Sequence, residues 1–147
     1  MMEYFSIQEL DLPADIWNPF AQHYAAAHYD SNQMIYFQES QADCFYYLKK
    51  GRVKTFISSE DGTEKALTVY REGNLFGEAA FFDGMPRVSS AVAITACDIV
   101  RIDRQRATQE IVQNPELALA LMKYLARTVR LLSEHIDNMA FLQTDQR

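Results

Sequence analysis

With 147 residues, 48% of them apolar and many aromatic, the sequence suits one compact domain with at most one projecting element and excludes wholesale disorder. Acidic side chains outnumber basic ones by 20 to 14, and the resulting charge of −6 opposes the phosphate neutralisation that nucleic-acid binding requires, so this chain alone is expected to bind DNA poorly. The opening MMEYFSIQEL has no basic stretch ahead of an apolar run, and no apolar segment approaches the roughly 20 residues of a membrane span; a cytoplasmic protein with no membrane partner is expected.

Composition divides the chain into a helical start (residues 1–33), a strand-rich middle (34–103) and a helical end (104–147). From Pro13 to about Ala27 the pattern is helical: Pro13 suits a first turn, and Ile16, Trp17, Phe20 and Tyr24 recur every three or four residues. Pro19 is expected to kink or divide that helix.

In the middle, MIYF, CFYYLKK, VKTFIS, EKALTVY, SSAVAI and CDIVRID read as short β-branched or aromatic strands. Lys50-Gly51-Arg52 and Glu60-Asp61-Gly62 supply turn chemistry between them. Many short strands joined this way favour a jelly roll or barrel over a parallel sheet. Cys44 and Cys97, the only cysteines, are too few for a disulfide framework and read as reduced, buried core residues.

After Asp103 the period becomes 3.6, first in a short helix near Gln105 to Val112 and then in a much longer one. Asn114 as N-cap, Pro115 at the first helical position and Glu116 at the positive dipole end mark its start, and no glycine or proline follows to about Leu142. Leu121, Leu125, Val129, Leu132, Ile136 and Met139 approximate a coiled-coil seam, while Leu117, Leu119, Tyr124 and Leu131 lie elsewhere on the cylinder. A rod that is apolar on more than one side needs both the barrel and a partner helix, which implies a homodimer.

The chemically informative stretch runs from Glu72 to Ala91 and interrupts the strands. Gly73 permits a turn, and Gly77 lets the backbone approach a ligand. Glu78 to Phe82 can form one helical turn with free backbone N–H groups, and Arg87, nine residues after Glu78, can return to make a bidentate contact with the same anion. Glu78 beside a phosphate makes sense if its carboxylate accepts from a ribose hydroxyl.

Gly73-Asn74-Leu75-Phe76-Gly77-Glu78 followed by Arg87 resembles the phosphate-binding cassette of cyclic-nucleotide-binding domains. Residues 42–53 resemble the earlier hairpin of that family, residues 95–103 its closing strand, and residues 133–142 the end of the dimerisation helix in the catabolite-activator (Crp/Fnr) family of bacterial transcription regulators. The resemblance covers about residues 34 to 147. It implies a mainly β fold with flanking helices, a double-stranded β-helix (jelly roll) that dimerises through the long C-terminal helix. It also implies a helix-turn-helix domain that this chain does not contain: Thr144-Asp145-Gln146-Arg147 stands about where the hinge into that domain begins. DNA would be bound only through the missing domain, by the intact protein as a dimer on a palindromic site. The ligand-binding set implied is Phe76, Gly77, Glu78, Ala79, Arg87, Val88, Ser89, Leu132 and Ser133. No catalytic residue, metal or fixed cofactor is implied; the effector is a cyclic nucleotide such as cAMP or another small molecule.

Three positions depart from the family pattern. Val88 replaces the Ser or Thr whose hydroxyl contacts the cyclic phosphate, with Ser89 next to it. Leu132-Ser133 replaces a Thr-Ser pair that contacts adenine, which makes the pocket more apolar and suits an aromatic effector. Glu39 stands where glycine is usual, suggesting a changed turn. Two other readings are a degenerate cassette serving only dimerisation and a cupin-type metalloenzyme, which would need clustered histidines on strands. His23, His28 and His135 instead fall on expected helices or their flanks, with His135 read as a surface or seam residue.

Overall fold

The computed structural model describes residues 5–6, 12–13 and 15–145. In chain order the elements are β1 (Phe5–Ser6), α1 (Asn18–His23), β2 (Ala27–Tyr29), β3 (Met34–Tyr36), β4 (Cys44–Lys50), β5 (Val53–Ser58), β6 (Glu64–Tyr70), β7 (Leu75–Phe76), α2 (Glu78–Asp83), β8 (Ser90–Ala93), β9 (Cys97–Asp103), α3 (Arg104–Gln113) and α4 (Glu116–Asp145). Two sheets face each other in the order β1-β6-β5-β8-β3 and β2-β9-β4-β7. All pairings are antiparallel except β1 with β6. This is the expected jelly roll followed by a long helix.

The six strands expected from the sequence all form, but the helical start is shorter than its periodicity suggests. Among the described residues of that segment only Asn18–His23 is helix, with Pro19 in its first turn rather than at a kink. Residues 27–29 are strand, paired with Ile99, Asp98 and Cys97 of β9, so the barrel takes in residues that the 1–33 helical reading placed outside it. Residues 1–4, 7–11, 14 and 146–147 of the expected terminal segments lie outside the described residues. Trp17 and Phe20 are buried in the core, where Trp17 meets Tyr124 edge-on at 5.5 Å and Phe20 meets Phe45 at 5.5 Å.

One apolar cluster, built on Trp17, Phe20, Phe45, Val100, Leu117 and Tyr124, joins the barrel to the start of α4. A second, including Leu48, Val53, Phe76 and Ile99, fills the barrel interior. Cys44 and Cys97 are free and buried in this second cluster. Asp103 caps α3 by accepting from the Arg106 N–H at 2.9 Å, and the Asn114 N–H closes the same helix on the Glu110 carbonyl at 2.9 Å. Buried Glu110 ties α3 to α1, accepting from the Tyr24 hydroxyl at 2.7 Å and lying 2.7 Å from His23 Nδ1.

Helix α4 is 30 residues long, about 45 Å at 1.5 Å per residue. Leu117, Leu121 and Tyr124 are buried, and Leu125 and Leu131 pack partly against the same cluster. The expected seam therefore divides. Leu121 and Leu125 belong to the barrel side, whereas Val129 and Ile136 are each 62% exposed. The outward stripe is Leu119, Met122, Ala126, Val129, Ser133 and Ile136, spaced 3, 4, 3, 4 and 3 residues apart on the side opposite the barrel.

Candidate effector site

The cassette departs from regular strand at Gly77, whose φ of 74° is left-handed and whose Cβ, were there one, would stand 2.8 Å from Arg87 Nη1. Only glycine fits both constraints. It starts α2 without a side-chain cap, and Gly84 ends the helix with φ 73°. The chain then returns through Pro86 so that Arg87, 4% exposed, lies beneath the cassette.

Both terminal nitrogens of Arg87 are already engaged. Nη1 donates to the Gly77 carbonyl and Nη2 to the Cys44 carbonyl, fastening the cassette to β4. The guanidinium also stacks over Tyr36 at 4.2 Å. Among the described residues, Nε is the one buried side-chain nitrogen or oxygen without a partner. A bidentate contact remains open, since Nε is without a partner and each terminal nitrogen keeps a second N–H beyond the one given to a carbonyl. The backbone of Arg87 is held as well: its carbonyl accepts from the Glu39 N–H at 2.7 Å and its N–H donates to the Ser40 carbonyl at 2.8 Å. Glu39 has φ 71°, so this turn takes the left-handed conformation usual for glycine, at a strain of about 1–2 kcal/mol for a side-chain-bearing residue.

Glu78 is 5% exposed and forms no ion pair with Arg87. Burial pushes its carboxyl up to about 7, only partly opposed by its own backbone N–H and the Arg87 charge. Tyr36 and Tyr46 are raised by burial too. These rings hold Phe76 out of reach of solvent, stacked on Tyr46 at 5.1 Å and tilted on Tyr70 at 5.6 Å.

Between the cassette and α4 lies a cavity of about 780 Å³. Of the nine residues expected at the site, Gly77, Glu78, Ala79, Arg87, Val88, Ser89 and Leu132 line it. Phe76 does not, because it serves as the buried floor of the tyrosine stack, and Ser133 does not, because it lies on the outward stripe of α4. Residues not anticipated from sequence complete the walls: Tyr36, Thr55, Thr68, Tyr70 and the run Glu64, Lys65, Ala66 and Leu67 from the sheet, Ala80 from α2, and Thr128, His135 and Met139 from α4. His135, expected on the helix surface or at a seam, thus lines the cavity. The i, i+4, i+7, i+11 spacing of Thr128, Leu132, His135 and Met139 was visible, but nothing in it distinguished a cavity face from a dimer face. Tyr124, fully buried, donates its hydroxyl to the Leu75 carbonyl at 2.6 Å and so ties the rod to the strand that opens the cassette.

The other histidines are engaged elsewhere. His28 is on a strand, where hydrogen bonds from its ring to the Asp98 and Asp30 carboxylates raise its pKa. Among the described residues no group of three or more His, Cys, Asp or Glu is placed to hold a metal ion, and no helix is long and apolar enough to cross a membrane.

A jelly roll interrupted by an arginine-pinned Phe-Gly-Glu turn, with a helical rod closing the cavity above it, defines a small-molecule sensing domain. Residues 26–114 match the cyclic nucleotide-binding domain family, and the chain belongs to that family in its Crp/Fnr-like form. It is 32% identical over 129 residues to the cAMP-activated global transcriptional regulator CRP of Salmonella typhimurium, covering 87% of this chain and 61% of that protein. Its structure is similar to that of Thermus thermophilus catabolite activator protein, with a TM-score of 0.74 at 24% identity over 92% of this chain and 63% of the other. The sensor domain of the transcriptional regulator DNR from Pseudomonas aeruginosa is also similar, with a TM-score of 0.64 at 29% identity over 83% and 85% of the two chains. The chain spans about three-fifths of the length of the curated relatives it matches.

Proposed function

We propose that this chain is the effector-sensing, dimerising part of a transcription regulator, and that it takes a cyclic nucleotide or another compact anionic or aromatic effector between the cassette and α4. One observation carries this reading: a single cavity of about 780 Å³ is walled on one side by Gly77–Ala80 and Arg87–Ser89 and on the other by the inner face of α4. Its size falls within the range of roughly 300–1,000 Å³ usual for small-molecule sites. A buried guanidinium with one unpaired nitrogen supplies the anion contact, and a buried carboxyl beside it suits a hydroxyl-bearing ligand.

The coupling follows from connectivity. An effector that draws Arg87 from the Gly77 carbonyl loosens the cassette from β4, and Tyr124 passes the change to α4 through Leu75. Two copies pair along the outward stripe, so a tilt of one rod changes the relation of the two C-terminal ends, where DNA-binding domains of the intact protein would continue. Effector binding shifts this equilibrium only by its difference in affinity for the two arrangements.

Calorimetry with cAMP and with cGMP tests the reading on wild type, Arg87→Gln and Ala79→Trp, each checked by thermal melting. Ala79 is exposed at the cavity wall, so Ala79→Trp blocks the cavity without disturbing the core. Saturable heat in wild type with at least tenfold weaker binding in both variants is expected. The same weak heats from all three proteins would leave the fold as a dimerisation module with a closed-off cassette.

A further inference from the structure

Taking the cavity as an effector site, we infer that Lys65 gives it a second cationic contact, so that the preferred effector is an elongated molecule with one anionic group at Arg87 and another at its far end. Besides His135, Arg87 and Lys65 are the basic side chains on the cavity wall. They enter from different parts of the barrel: Arg87 from the return of the cassette, Lys65 from the start of β6, next to the β5–β6 turn.

A β-bulge sets the direction of Lys65. Val53 pairs with Tyr70 and Thr55 with Thr68, and both threonines line the cavity. The next pair is Phe56 with Ala66, which leaves Leu67 as an extra residue on β6. Side chains alternate across a strand, so in an unbroken ladder Lys65, three positions before Thr68, would fall on the opposite face. The bulge reverses that parity and pairs Lys65 with Ile57, on the face that carries Thr55 and Thr68.

The surrounding charges leave Lys65 available. It is exposed and forms no ion pair among the described residues. Glu64 borders the same cavity, but its pairing with Ser58 turns it to the other face of the hairpin, with Phe56 and Ala66. Glu78 belongs to the cassette, at the start of α2. An ammonium on a flexible stem can follow an anionic group at the rim of the cavity, and because it stays partly in water its contribution is modest and weakens with salt.

Titration of cAMP, N6-carboxymethyl-cAMP and N6-carbamoylmethyl-cAMP into wild type, Lys65→Met and Lys65→Glu separates the outcomes. The two N6 substituents have nearly the same shape, differ in charge and lie at the end of the ligand remote from its phosphate. Lys65 is exposed, so both substitutions are compatible with folding, which melting curves verify. Wild type is expected to bind the carboxylate about three- to fivefold more tightly than the carboxamide at low salt. That advantage shrinks as salt is raised, disappears in Lys65→Met and reverses in Lys65→Glu. A wild type that binds cAMP but does not prefer the carboxylate, or a preference that survives in Lys65→Met, overturns the assignment while leaving the cavity an effector site. No heat from any of the three ligands in folded wild type overturns it together with the cyclic-nucleotide form of the effector reading.

Discussion

The two halves of α4 carry the same apolar periodicity and meet different fates. From Leu117 to Tyr124 the inner residues are buried in the main cluster, and Tyr124 is pinned between Trp17 and the Leu75 carbonyl. From Thr128 to Met139 the inner face lines a cavity and the outer face is exposed. The first half is a folding element whose partners lie within the chain; the second has its apolar surface turned to the cavity on one side and exposed on the other. Periodicity identifies an apolar face but not what covers it.

The largest test of this contrast is Tyr124→Ala, which deletes a fully buried ring and its hydrogen bond and should cost about 3–5 kcal/mol in denaturant unfolding. A loss below about 1 kcal/mol would erase the distinction between the halves. Next comes Glu78, whose carboxyl is raised to about 7 by burial. The folded chain then holds a proton that the unfolded chain releases near pH 4.5, so this group's favourable contribution is complete below about pH 4.5 and lost as pH rises to about 7. The fall amounts to on the order of 3 kcal/mol at about 1.4 kcal/mol per pH unit. Glu78→Gln should flatten that slope in unfolding curves measured between the two pH values, and parallel slopes for the two proteins would show that the carboxyl is not held in a dry site.

Smaller again is Gly77→Ala, which meets both the left-handed backbone and the Arg87 and Tyr36 contacts. It should lower stability by about 2 kcal/mol, somewhat more than the backbone term alone, and weaken any effector that enters beside Arg87. Thermal melts with and without cAMP read both effects. Ile136→Glu should change the stability of the folded chain least, by no more than about 0.5 kcal/mol, because the side chain is 62% exposed. Its effect should be on self-association, seen by analytical ultracentrifugation as dissociation at concentrations where wild type remains paired. A wild type that is monomeric throughout would remove the second copy from the outer face.

Much of the cassette was legible because its demands are local. Gly77 must be glycine for both its backbone and its closeness to Arg87, and the spacing to Arg87 is that of a turn, a short helix and a return. The roles of Phe76 and Ser133 were not, since Phe76 is placed by three tyrosines from separate strands and Ser133 by the rotation of α4 against the barrel. The same rotation brings His135 into the cavity, a placement that spacing along one helix does not distinguish from its neighbours.

By itself the sequence determined what short-range chemistry governs: where strands alternate, where glycine and proline turn the chain, where α4 starts, and that an arginine returns to a glycine-flanked turn. Tertiary structure alone decided that the guanidinium is held by two carbonyls, that a carboxyl beside it is dry, and which stripe of α4 faces inward. Those outcomes depend on contacts between residues far apart in the chain, and their energies are set by burial and orientation, which no local pattern encodes.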